Sequence, residues 1–133
     1  MKFNIEVRKL RVHAPVGVFP EEKERGNDFE VTVNVAICVA DPFADRDDVD
    51  VTVDYSRIVE LVKEVMAEGC DLVETAALRI GRRVLDEFPS SPVREIESVD
   101  VKVAKLNPPI ANAEMDYASA SVTLHSPTSR RRE

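Results

Sequence analysis

Phe29, Val31, Val33, Val35, Ile37 and Val39 set a β-branched or aromatic side chain at every second position. Only an extended strand gathers such a row on one face, because successive strand side chains point to opposite sides. The even positions between and after them, Glu30, Thr32, Asn34, Ala36, Cys38 and Ala40, are small or polar. A chain that contains this strand must cover one apolar sheet face, and it leaves the other to water or to another subunit.

Two helical patterns supply the cover. Ile58, Leu61, Val62, Val65 and Met66 recur at helical spacing and predict a helix from about Asp54 to Glu68, ended by Gly69. Val73, Ala76, Ala77, Ile80, Val84 and Phe88 predict a second from about Asp71 to Phe88, with Asp71 as N-cap, Glu74 as its third-position partner and Pro89 as the stop. Three more alternating segments complete the sheet. Phe3, Ile5 and Val7 change phase to Leu10 and Val12, so the first strand carries a bulge near Arg8-Lys9. Val99, Val101 and Val103 mark the third strand, and Ala118, Ala120, Val122 and Leu124 the fourth, within Met115–His125. Residues 13 to 28, HAPVGVFPEEKERGND, break the alternation with prolines, glycines and charges and predict a loop, of a length that is more often functional than idle. The order is ββααββ: an α+β domain with a four-stranded antiparallel sheet and two helices on one face. Residues 1–125 form the domain and 126–133 a flexible polar tail. Such a sheet has two open edges, and pairing them between subunits into a ring is one way to hide them.

Composition narrows the function classes. The 133 residues hold 25 acidic and 18 basic side chains, a net charge of −7, which disfavours sequence-independent binding to a phosphate backbone. The three arginines of the tail read as a frayed terminus rather than a nucleic-acid patch. No apolar run has the length of a membrane span. The opening MKFNIEVRK lacks an apolar signal core, and Cys38 and Cys70 are the only cysteines, so the expectation is a reducing, cytoplasmic compartment. Two Cys and two His without paired spacing argue against a zinc centre. The acidic stretch Asp41–Asp54 lacks the glycine and closing glutamate of a calcium loop and reads as solvated. No metal and no cofactor is expected.

Few side chains stand out as carriers of chemistry. Lys105 continues the face of Val99, Val101 and Val103, which sets an amine at the end of an apolar row, partly desolvated and suited to giving and taking protons. Spacing alone favours a lysine that snorkels out of the strand end. Glu74, in the first turn of the second helix, reads first as a capping carboxylate, a role compatible with accepting from the N–H edge of a ligand. Tyr55 and Glu22 are competent acids or bases that spacing does not select over their neighbours. His13 and His125 titrate near neutrality, and both read first as surface residues.

Taken in order, the runs Gly17-Val18-Phe19-Pro20-Glu21-Glu22-Lys23-Glu24-Arg25-Gly26-Asn27, Thr52-Val53-Asp54-Tyr55, Leu72-Val73-Glu74 and Lys105-Leu106-Asn107-Pro108-Pro109-Ile110 resemble dihydroneopterin aldolase. The resemblance spans about residues 3 to 125 and includes the ββααββ order. It implies the tunnelling fold, a barrel assembled from subunits as a ring of four that stacks into an octamer, with active sites between neighbours. It also implies an aldolase of folate biosynthesis, independent of metal and of a lysine Schiff base. Such a lyase splits 7,8-dihydroneopterin into 6-hydroxymethyl-7,8-dihydropterin and glycolaldehyde. Under the resemblance Glu74 anchors the pterin's amino and ring N–H edge, with main-chain groups of Leu72, Val73 and Thr52 beside it. Lys105 handles protons between ring N5 and the side-chain hydroxyl, Tyr55 protonates the enol intermediate from the adjacent subunit, and Glu22 supports Lys105. The family often has Gln where this chain has Asn27, one methylene shorter. Two other readings stay open: an epimerase acting on dihydroneopterin or its triphosphate, and a non-catalytic pterin-binding or self-assembling module.

Overall fold

The computed structural model describes residues 1–127. Four strands, β1 (Lys2–Ala14), β2 (Asn27–Val39), β3 (Arg94–Leu106) and β4 (Tyr117–His125), form one antiparallel sheet in the order β1-β2-β3-β4. Among the described residues three α-helices accompany it: α1 (Pro20–Arg25), α2 (Tyr55–Glu68) and α3 (Val73–Glu87). The α+β architecture and the helix-covered sheet agree with the pattern in the sequence.

The odd-numbered side chains of β2 form the centre of the core. Phe29, Val31, Val33 and Val35 are fully buried, and they meet Val99, Val101 and Val103 of β3 with the same parity. Helix α2 buries Ile58, Leu61, Val62, Val65 and Met66, the predicted face, and Asp54 caps it by accepting from the Ser56 amide at 3.0 Å. Helix α3 buries Ala76, Ala77, Ile80 and Val84. The bulge in β1 lies between Val7 and Leu10, where Lys9 takes a positive φ of 55°.

Two expectations need correction. Residues 13–28 are not one loop. His13 and Ala14 continue β1 opposite Asp28 and Asn27, and six residues between them form α1. The backbone ladder runs on where the hydrophobic alternation stops, because strand pairing needs amides and carbonyls, not apolar side chains. Pro20 starts α1 with acidic residues in its first turn and basic ones in its last, a favourable match to the helix dipole. The second correction concerns the entry to α3. Its N-cap is Leu72, without a side-chain cap, rather than Asp71, so Glu74 sits one position earlier than a capping-box glutamate. Asp71 instead pairs with Lys23 of α1.

The acidic connection after β2 contains two short 3-10 turns, Asp41–Phe43 and Val49–Val51, the second capped by Asp48. Ser126 is buried and its amide donates to the Glu97 carbonyl at 3.2 Å. The remainder of the predicted tail, residues 128–133, lies outside the described residues.

Candidate active site

The site begins with a carboxylate at the start of a helix. Glu22 is the third residue of α1, and its Oε1 accepts from the backbone amide of Phe19 at 3.2 Å, closing the first turn. Its other oxygen, Oε2, faces the end of β3. There Lys105, opposite Phe29 of β2 and Ala118 of β4, donates from Nζ at 2.5 Å. The two side chains are 8% and 16% exposed, so this is a largely desolvated ion pair between groups far apart in the chain. Lys105 does lie on the odd-numbered face, but it is paired rather than snorkelling.

Asn27, the first residue of β2, completes the cluster. Its Nδ2 donates to Glu22 Oε2 at 2.8 Å and to the Val16 carbonyl at 3.0 Å. Burial pushes the Glu22 carboxyl up, but bonds from Lys105, the Phe19 amide and Asn27 outweigh it and hold the group below its ordinary value. A lowered carboxylate contributes stability above the unfolded value of 4.5, and that contribution is lost as pH falls through the lower folded value. Thermal melts against pH should therefore show the wild type's advantage over Glu22→Gln intact at neutral pH and fading in acid. An advantage that stays constant into acid would contradict an ionised Glu22.

Gly17 lies against this carboxylate. A Cβ there would stand 2.4 Å from Glu22 Cδ and 2.6 Å from its Oε2. Gly17 also donates its amide to the Cys70 carbonyl at 3.0 Å, beside a parallel bridge between Val16 and Cys70. These bonds and the Lys23–Asp71 pair tie the segment carrying Glu22 to the segment entering α3. Between the two lies a cavity of about 490 Å³, lined by Phe19, Glu22, Leu72, Glu74, Lys105 and Ile110 among others. Val73 also lines it. Glu74 has no hydrogen-bond or ion-pair partner among the described residues. A wall of apolar side chains with one unpaired carboxylate and one amine–carboxylate pair suits a flat heterocycle with N–H donors at one edge and a proton-accepting atom elsewhere.

The structure thus brings together Glu22, Lys105, Glu74, Leu72 and Val73. It does not bring Thr52 or Tyr55 to them within one chain. Thr52 lines a separate cavity of about 460 Å³ with Phe3, Ile37, Asp48 and Val51, and Tyr55, at the start of α2, is 66% exposed. Sequence reasoning did not foresee the Gly17 contact, the double role of Asn27 or the Lys23–Asp71 link. Gly17 and Asn27 stand in the motif that carries the resemblance, whereas Lys23 and Asp71 are 48 positions apart and no pattern joins them.

Comparison with known proteins points to one family. The model of the dihydroneopterin aldolase (FolB) family matches residues 5–123. Dihydroneopterin aldolase of Streptomyces coelicolor is 35% identical over 121 residues, which cover 90% of this chain and 93% of the relative. Dihydroneopterin aldolase of Methylorubrum extorquens is 32% identical over 123 residues, covering 92% and 89% respectively. Among solved structures, E. coli dihydroneopterin aldolase in complex with neopterin superposes with a TM-score of 0.76 at 20% identity, covering 92% of this chain and 98% of that one. Dihydroneopterin aldolase from Burkholderia thailandensis bound to guanine gives 0.68 at 19% identity, covering 94% and 92%. With the family model spanning both the α1 carboxylate and the β3 lysine, the chain belongs to the dihydroneopterin aldolase family.

Proposed function

We propose that this aldolase uses Lys105 and Glu22 to move protons, Glu74 with Leu72 and Val73 to hold the pterin, and Thr52 and Tyr55 from a neighbouring copy to complete the site. The single observation that carries the reading is the largely buried Glu22–Lys105 pair in the wall of the same cavity as unpaired Glu74. A carboxylate accepts two parallel hydrogen bonds, so Glu74 matches the amino and ring N–H edge of a pterin. With that edge fixed, Lys105 delivers a proton, through water, to ring N5. The cationic ring is then the electron sink. The now neutral Lys105 takes the C2′ hydroxyl proton, the C1′–C2′ bond breaks, glycolaldehyde departs, and the electron pair passes into the ring as an enol. Tyr55 protonates C1′ of that enol, and the N5 proton returns through water to the Tyr55 phenolate, which gives neutral 6-hydroxymethyl-7,8-dihydropterin. Glu22 keeps Lys105 oriented throughout, and no covalent imine to the protein is required.

That Thr52 lines a separate cavity and Tyr55 is exposed supports a site shared between copies, and hence the ring, barrel and octamer. The open edges of β1 and β4 are where copies would join. The two free cysteines support a cytoplasmic location. Residues 1–125 act as the one domain. The test is incubation of the purified protein with 7,8-dihydroneopterin, with products separated after oxidation. The expected products are 6-hydroxymethylpterin and glycolaldehyde. Monapterin alone would make the protein an epimerase, and absence of both turnover and pterin binding would leave a non-catalytic module.

A further inference from the structure

His13 contacts two groups that can only accept. Its Nδ1 lies 2.8 Å from Asp28 Oδ1, and its Nε2 lies 2.8 Å from the carbonyl oxygen of Arg25. A neutral imidazole has one N–H, and in either tautomer one contact would set a ring lone pair against an oxygen lone pair. Both contacts are satisfied together only by the imidazolium.

The placement of these contacts gives them a consequence. Arg25 ends α1 and Asp28 is the second residue of β2, so the ring holds both sides of the Gly26-Asn27 turn. Gly26 has φ 74°, the left-handed region where glycine is favoured, and a Cβ there would lie 2.5 Å from His13 Nε2. The ring therefore packs directly against the turn. That turn presents the Asn27 amide that bonds Glu22 Oε2, the oxygen that also takes Lys105.

We propose that His13, as the imidazolium, is a positioning residue for the Glu22–Lys105 pair, acting through the Gly26-Asn27 turn. The proposal rests on the aldolase reading for its catalytic consequence. The charged groups around the ring are few. Asp28 comes from β2, and Arg11, two residues back on β1, lines the same hollow but pairs with Glu30 at 3.3 Å. Arg25 of α1 contributes its carbonyl, and Leu106 at the end of β3 and Asn107 after it are uncharged. The Asp28 carboxylate, then the Arg25 carbonyl, raise the His13 pKa above its ordinary 6.5. The grip is therefore complete below the ordinary value and is released as pH rises through the raised one.

The test uses the full-length protein with 13C-labelled histidine, His125→Gln supplying the assignment. Two readouts are followed from pH 5.5 to 9.5: the His13 ring shift and the Asn27 side-chain amide shift. The expected result is a His13 midpoint above 6.5 that falls in Asp28→Asn, with the Asn27 amide moving at the same midpoint. In parallel, kcat/KM of the wild type over His13→Gln should be roughly tenfold below the midpoint and approach one above it. A His13 midpoint at or below 6.5, an Asn27 amide that ignores it, or a pH-independent activity ratio would each overturn the proposal. The titrations need no substrate and no variant of the ring, so lack of turnover would count against the aldolase reading alone.

Discussion

Lys105→Ala should lower kcat for 7,8-dihydroneopterin by on the order of 10³-fold, with a much smaller change in KM. The substitution removes the amine we propose as the N5 proton donor and leaves the Glu74 side of the cavity untouched. It also leaves Glu22, 8% exposed, without its cation. Breaking one side of a largely buried pair costs about 3 kcal/mol or more, so the variant should melt at lower temperature as well. The two losses are separable. Lys105→Ala combined with Glu22→Gln removes the unpaired charge and should regain stability without regaining turnover. Turnover within tenfold of wild type in Lys105→Ala would make the pair structural and reassign the proton carrier.

Gly17→Ala should lower kcat/KM by roughly 10²-fold, although the added group is a single methyl. Gly17 does not have a positive φ, unlike Gly26 and Gly69, so the backbone itself would accept alanine. The cost is contact. The new Cβ would overlap Glu22 Cδ, Cβ and Oε2, all within 2.6 Å, and it cannot retreat because the Gly17 amide is bonded to Cys70. Either the carboxylate swings away from Lys105 and Asn27, or the bond between residues 17 and 70 opens. Overpacking of this kind costs about 1–3 kcal/mol, and here it acts on the Glu22–Lys105 pair. Kinetics beside a crystal structure of the variant would decide the matter. Wild-type kcat/KM with the Glu22–Lys105 contact unchanged would show that the segment adapts.

Much of this molecule is legible along the chain. The alternation of Phe29 to Val39 defines a half-buried strand, and its parity carries through to Lys105 by way of the register with β3. The 3.6-residue spacing from Ile58 to Met66 sets the buried face of α2. Both are local periodicities, and burial simply follows them. The entry to α3 departs from its local pattern for a non-local reason. Asp71 and Glu74 have the spacing of a capping box, but Lys23 takes Asp71, and the helix begins after Leu72. A partner 48 positions away outcompeted the cap.

By itself, the order of apolar and polar residues determined the α+β architecture, the two covering helices and the face on which Lys105 stands. It also supplied the motifs that resemble the family. Spacing did not select Glu22 over its neighbours Glu21 and Glu24; the family resemblance pointed to it, and the tertiary structure shows it receiving Lys105, with Asn27 bonded to it and Gly17 leaving it room. Tertiary structure alone decided that His13, a surface residue by pattern, clasps the turn behind Asn27. The physical reason is the same in each case. Burial follows from local periodicity, whereas a hydrogen bond or a close contact needs two atoms within about 3 Å. Only the closing of α1 onto the ends of β1, β2 and β3 brings those atoms together.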